Sequence, residues 1–274
     1  MPDWYAATRI VEGMAPEFEE KFHLYSEAAT AWMTRIAGVL GRSYRVKDST
    51  NFILVSSSPG ETMEQELTMM EQLLDIVFQS LDGAGRSFHG KMPVVLFDDH
   101  QKFREYLAQS DQQENGGTIS SVYIETWYPQ IVIYAPQGTD LRHILLYEIC
   151  NTVLAPLTLP AWIASALRQE IEHFAGSVPP YELSARWVAQ HRAYWTPERT
   201  AAFWTGESFG SQDEGGELSK HLAQFLLRGL FQETTQEERA AFLDAASPTD
   251  GGRRAAEDVL GVSLDEALEH FLKG

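Results

Sequence analysis

Tyr147, Glu148 and Asn151 recur at three- and four-residue steps, so on a helix they share a face. An otherwise apolar helix has little reason to carry a carboxylate there. In a partly dry cleft Glu148 could act as a general acid or base, its protonation tuned by burial. Tyr147, Asn151, Ser165 or His143, which lies one turn before Tyr147, would then donate hydrogen bonds to developing charge. Such a set suits proton transfer, cyclisation or elimination on a small molecule, none of which needs a Lewis acid. The plain alternative is a structural carboxylate paired with Arg142, Arg168 or another basic group, because a buried carboxylate must find a partner. Ser165 and His143 as nucleophile and base lack the strand-turn elbow that would present the serine.

Two helices must position these groups. Asp140 is a candidate N-cap, Leu141, Leu145, Leu146, Ile149 and Val153 supply an apolar side, and Pro156 ends the first helix. Pro160 suits the first turn of a second helix that stops near Gly176. On that helix Arg168, Gln169 and Glu172 lie near the face of Ser165.

The segment from Thr139 to His173 resembles the gluzincin metallopeptidases, in particular the bacterial peptidase-MA-like group. Their active-site helix reads HExxH and their next helix P-x-W-[LI]-x-E-G-L-A. The matching five residues here are Tyr147-Glu148-Ile149-Cys150-Asn151, and the second helix matches at Pro160, Trp162, Ile163 and Leu167. In the family the two histidines and the second-helix glutamate bind zinc, and the glutamate of HExxH activates the metal-bound water. Tyr147, Asn151 and Ser165 stand at the three ligand positions, Ala166 replaces the glycine, and Glu148 alone is kept. The resemblance therefore implies the frame of the fold without its zinc, and no cofactor. Relocated ligands, His143 with Glu148 and Glu172, would need a rotated site.

A formal charge of -18 excludes a duplex- or phosphate-binding surface, which needs clustered lysine and arginine. No run approaches a membrane span, and the N-terminal MPDWYAATRIVEG lacks the basic-then-apolar order of a signal peptide, so the expected location is cytoplasmic. Cys150, the single cysteine, rules out an intrachain disulfide and reads as a core residue.

In chain order, the spacing predicts one long helix from Pro16 to Leu40, a strand at 51–57, a helix at 61–81 with methionines as core filling, and a strand at 92–98. Asp98, Asp99 and His100 start a short helix, where an aspartate is a cap before it is a metal ligand. Gly83-Ala84-Gly85 reads as a linker, 110–120 as a polar loop, and 122–127 with 130–135 as a hairpin. The resemblance implies that one hairpin strand pairs with an extended peptide by strand addition. The aromatic-rich stretch from Tyr181 to Phe209 reads as a helical core, with a binding cleft as the alternative. Then come a polar loop at 211–216, a helix at 217–231 carrying His221, Leu243-Asp244 followed by a loop, and helical segments at 255–260 and 264–272, with Ser263 capping the last.

The expected architecture is α+β and zincin-like: a helical N-terminal extension (1–42), a zincin-like subdomain with a mixed sheet packed on the degenerate active-site helix (43–176), and a helical C-terminal subdomain (177–274). The expected function is a non-proteolytic, metal-free pseudoenzyme that binds a peptide or small molecule in the former active-site cleft, with Asn151, Ser165, Arg168, Gln169 and Glu172 lining it. Second comes a metal-independent enzyme using Glu148, Tyr147 and His143, and third a metallohydrolase with relocated ligands. Neither nucleic acid nor membrane is an expected partner.

Overall fold

The computed structural model describes residues 4–15, 17–81, 88–109, 120–124, 128–136, 138–176, 179, 184–211 and 213–273. The chain forms two compact units, Met1–Asp75 with Ser87–Thr152, and Ile76–Arg86 with Val153–Gly274.

The first unit is built on a five-stranded mixed sheet, so the fold is α+β. Its strands are β1 (Arg45–Asp48), β2 (Phe52–Ser56), β3 (Met92–Phe97), β4 (Ser121–Ile124) and β5 (Gln130–Tyr134), in the spatial order β1-β2-β3-β5-β4. The three central strands are parallel, and β1 and β4, the outermost strands among the described residues, are antiparallel to their neighbours. That arrangement explains the runs FILV, VVLF and IVI. A parallel strand covered on both faces has no polar side, and these residues are all buried. A parallel link between β2 and β3 needs a crossover, supplied by α3 (Gly60–Ser80), on which Met63 and Met70 are fully buried as core filling.

The long helix expected to end at Leu40 is α2 (Phe18–Leu40), and a further helix, α1 (Trp4–Met14), precedes it with Ala15, Pro16 and Glu17 between them. Both pack on the sheet face formed by Ile53, Val55, Val95, Phe97 and Val132. Trp4 lies 5.3 Å from Trp32 and 4.6 Å from Tyr128, centroid to centroid. Tyr128 Oη donates to the Lys91 carbonyl, and the Lys91 N–H donates to Ser26 Oγ. Gly90 sits between them because a Cβ there would come within 2.6 Å of Tyr128 Oη and 2.7 Å of Tyr25 Cβ. The leading residues are thus part of the core of this unit.

β1 was not foreseen. Its sequence, RVKD, is short and polar, and it is held by pairing with β2 and by Lys47, which binds Glu64 and the Gly60 carbonyl. After β3, α4 (His100–Leu107) opens on Asp99, whose Oδ1 accepts the N–H groups of Gln101 and Lys102 at 2.8 and 3.1 Å. This aspartate is a cap, as its position predicts. The linker at 83–85, most of the loop at 110–120, the end of the first hairpin strand at 125–127, and Tyr181 lie outside the described residues.

α5 (Leu141–Leu154) carries the candidate residues of the first unit and runs into a 3-10 turn at Ala155–Leu157. Thr158 follows in the left-handed region at φ 51°, an uncommon conformation for a β-branched residue.

The second unit is helical: α6 (Ala161–Phe174), α7 (Ala185–Tyr194), α8 (Pro197–Thr205), α9 (Glu214–Phe231), α10 (Gln236–Ala245), the short α11 (Arg253–Ala255) leading into a π-turn, and α12 (Leu264–Lys273). α6 and α9 pack along their lengths, and Glu170 receives both Arg228 Nε and Nη2 at 2.7 and 3.1 Å. Trp162 is fully buried, donates to the Gly251 carbonyl at 2.8 Å, and meets Phe203 and Trp204. The aromatic stretch is therefore mostly core. Residues 214–216 were expected in a loop but begin α9, because Asp213 accepts the Gly215 N–H and caps it. α10, also unforeseen, starts on a capping box between Thr235 and Glu238. Ser263 Oγ accepts the Glu266 N–H, as its spacing predicts.

Candidate functional site

The candidate residues divide between the two units. In the first, α5 turns Tyr147 outward, 39% exposed, with His143 exposed one turn before it. Glu148 is 3% exposed, Asn151 is half-buried, and the Glu148 backbone carbonyl accepts the Thr152 hydroxyl at 2.8 Å. His143 and Glu148 are five positions apart, about 140° around the helix. α5 therefore places the imidazole on the solvent side and the carboxylate on the buried side. Cys150 is fully buried, in keeping with a core role.

In the second unit α6 carries Ser165, Arg168, Gln169 and Glu172, all half-buried. Gln169 Nε2 donates to the Ser165 carbonyl, to Ser165 Oγ and to the Lys220 carbonyl at 3.1 to 3.3 Å. Ser165 and Gln169 are thus tied into the α6–α9 packing. The Gln169 amide ties the two helices together, and the hydroxyl at 165 has a neighbour of its own.

The zinc that the family resemblance brings to mind does not fit these residues. A phenol, a carboxamide and a hydroxyl stand at 147, 151 and 165, and neutral oxygen and amide groups hold zinc poorly beside imidazole and carboxylate. Among the described residues no three histidine, cysteine, aspartate or glutamate side chains are grouped to hold a metal. No helix among them is long and apolar enough to cross a membrane.

Two polar features escaped the reading of the sequence. On α9 His221, and on α7 His191, are both fully buried, with His191 Nε2 2.6 Å from His221 Nδ1. Trp195 Nε1 donates to His191 Nδ1 at 2.9 Å. An indole nitrogen can only donate, so His191 accepts at Nδ1 and carries its proton on Nε2, which it gives to His221 Nδ1. The His221 proton then sits on Nε2. Burial holds both rings down at about 4, and His221 adds to the effect on His191. A signal existed: Trp187, His191 and Trp195 fall at four-residue steps on one face.

The second feature is Glu66 on α3. Ser58 Oγ reaches its Oε1 at 3.4 Å, while Oε2 is buried with no hydrogen-bond partner. Burial raises its pKa, opposed by the Ser58 bond. The serine run Ser56-Ser57-Ser58 at the end of β2 gave no hint that a carboxyl would fold against it.

No family model matches the chain, and no curated protein matches it in sequence.

Proposed function

We propose that the chain is a non-proteolytic, peptidase-like protein that holds an extended peptide against the edge of its sheet. The observation behind this reading is the place of β4. It is the outermost strand, antiparallel to β5, with no further strand beyond it among the described residues. Ser120 accepts the Tyr134 N–H at 2.7 Å, so positions 120, 122 and 124 point their peptide groups at β5. Ser121 points its own to the outer side, as strand addition requires. The donor set at 147, 151 and 165 supports a protein that has left zinc hydrolysis. The 3% exposure of Glu148 supports binding over acid–base chemistry, because a general acid or base must reach the proton it moves.

Phage selection from a random peptide library, with the best sequences synthesised and measured by fluorescence anisotropy, tests the proposal. Ser121→Pro removes one outward N–H and no bond to β5, at the first residue of a strand, where proline is tolerated. It should weaken binding about ten-fold, the value of roughly 1.4 kcal/mol. Binding unaffected by Ser121→Pro, or zinc-dependent cleavage of the peptide that Glu148→Gln abolishes, would overturn it.

A further inference from the structure

The second unit holds a half-open cavity of about 570 Å³, formed within that unit by α9, the turn into α10, the segment after the π-turn, and α12. Its size falls in the range of small-molecule sites. The walls are apolar: Leu226 and Leu230 from α9, with the rings of Phe225 and Phe271 near-parallel at 5.7 Å. Gly229 also lines it, and a Cβ there would meet nothing within 4 Å, so at this point α9 presents bare backbone to open space.

The charge on the cavity is one-sided. Glu233 and Glu238 stand on its lining together with His270, the one basic side chain there, while no lysine or arginine does among the described residues. Glu238 Oε2 accepts both the N–H and the hydroxyl of Thr235, which fixes this carboxylate in place and holds it in its charged form. Leu226 and Leu230 are already buried, so an apolar body would chiefly remove the half-buried Phe225 and Phe271 rings from water, at about 25 cal/mol per Å². A fixed negative rim then selects against an anionic head and for a cationic one.

We infer that this cavity is a binding site for a small lipophilic amine, its hydrocarbon part between Phe225, Leu230 and Phe271 and its ammonium at Glu233 and Glu238. The site lies wholly in the helical unit and is independent of the peptide edge on β4.

Isothermal calorimetry on the full chain with decylamine and decanoate below their micelle concentrations and decanol below its solubility limit tests the inference. Decylamine should bind about ten-fold tighter than decanol, and decanoate weakest. Gly229→Trp fills the cavity from its open side and should weaken decylamine binding at least about ten-fold, with helical circular dichroism unchanged. Gly229→Leu gives the same readout with less bulk should the tryptophan disturb the helix. Glu233→Gln should reduce the preference for decylamine over decanol by about three- to five-fold. Equal binding of amine and alcohol, tighter binding of decanoate, or undiminished binding by a folded Gly229 variant overturns the inference.

Discussion

His191 Nε2 and His221 Nδ1 lie 2.6 Å apart with neither ring exposed to solvent, Trp187 and Phe225 packed on His221, and Phe271 edge-on to His191. Each ring belongs to a different helix, so this bond joins α7 to α9. A proton on His221 Nδ1 removes the acceptor of this bond, and a proton on His191 Nδ1 displaces the Trp195 donor, so the full network needs both imidazoles neutral.

The pair makes the second unit acid-sensitive. Both folded values lie near 4, below the ordinary 6.5, so between these limits the unfolded chain takes up protons that the native state refuses. Stability from the pair is complete above about pH 6.5 and is lost as pH falls toward 4. Between pH 7 and 5 the loss should be on the order of 3 kcal/mol, or about 6–12 °C in Tm. Thermal unfolding followed by circular dichroism from pH 7 to 5 measures it. His221→Phe should start less stable and show a flatter dependence; an equal slope in the variant would rule out the pair as the source.

Glu66 acts with the opposite sign. Its folded pKa is raised by burial, so the native state is favoured when the carboxyl is protonated and loses stability as pH rises through that value. Replacing it by the similarly long, apolar Met removes a buried oxygen that has no partner. Glu66→Met should gain on the order of 1 kcal/mol at pH 7.5 in urea unfolding, and little or nothing at pH 4. A loss of stability at pH 7.5 would contradict this account.

Asp99 tests cap against metal. As the cap of α4, with two N–H groups on Oδ1, its change to Ala should cost about 1 kcal/mol, and a chelator should not alter the stability of the native protein. A chelator effect that Asp99→Ala removes would instead make it a ligand. Urea titration with and without EDTA separates the two.

The elements that carry their own pattern were legible. β2, β3 and β5 announce themselves as short apolar β-branched runs, α3, α5 and α6 by helical spacing, and the caps at Asp99 and Ser263 by residue type and offset. Three elements were not read. α1 is a short helix set apart from the longer α2 by Ala15, Pro16 and Glu17. β1 is polar and exists through its partner β2. α10 carries a readable signature in the capping box of Thr235 and Glu238. At the candidate site the helix and the shared side of Glu148 and Asn151 were accessible from period alone, while the burial of Glu148 beside an exposed Tyr147 was not.

The sequence by itself determined most of the helices, the apolar strands, and which donor types stand at 147, 148, 151 and 165, because period and side-chain chemistry are local properties. Only the tertiary structure decided that residues 4–40 belong to the sheet's core, that β4 forms an edge, that His191 meets His221 across 30 positions, and that α9 and α12 enclose a cavity. Those outcomes depend on which apolar faces find each other, and a helical face specifies that it must be buried without specifying its partner.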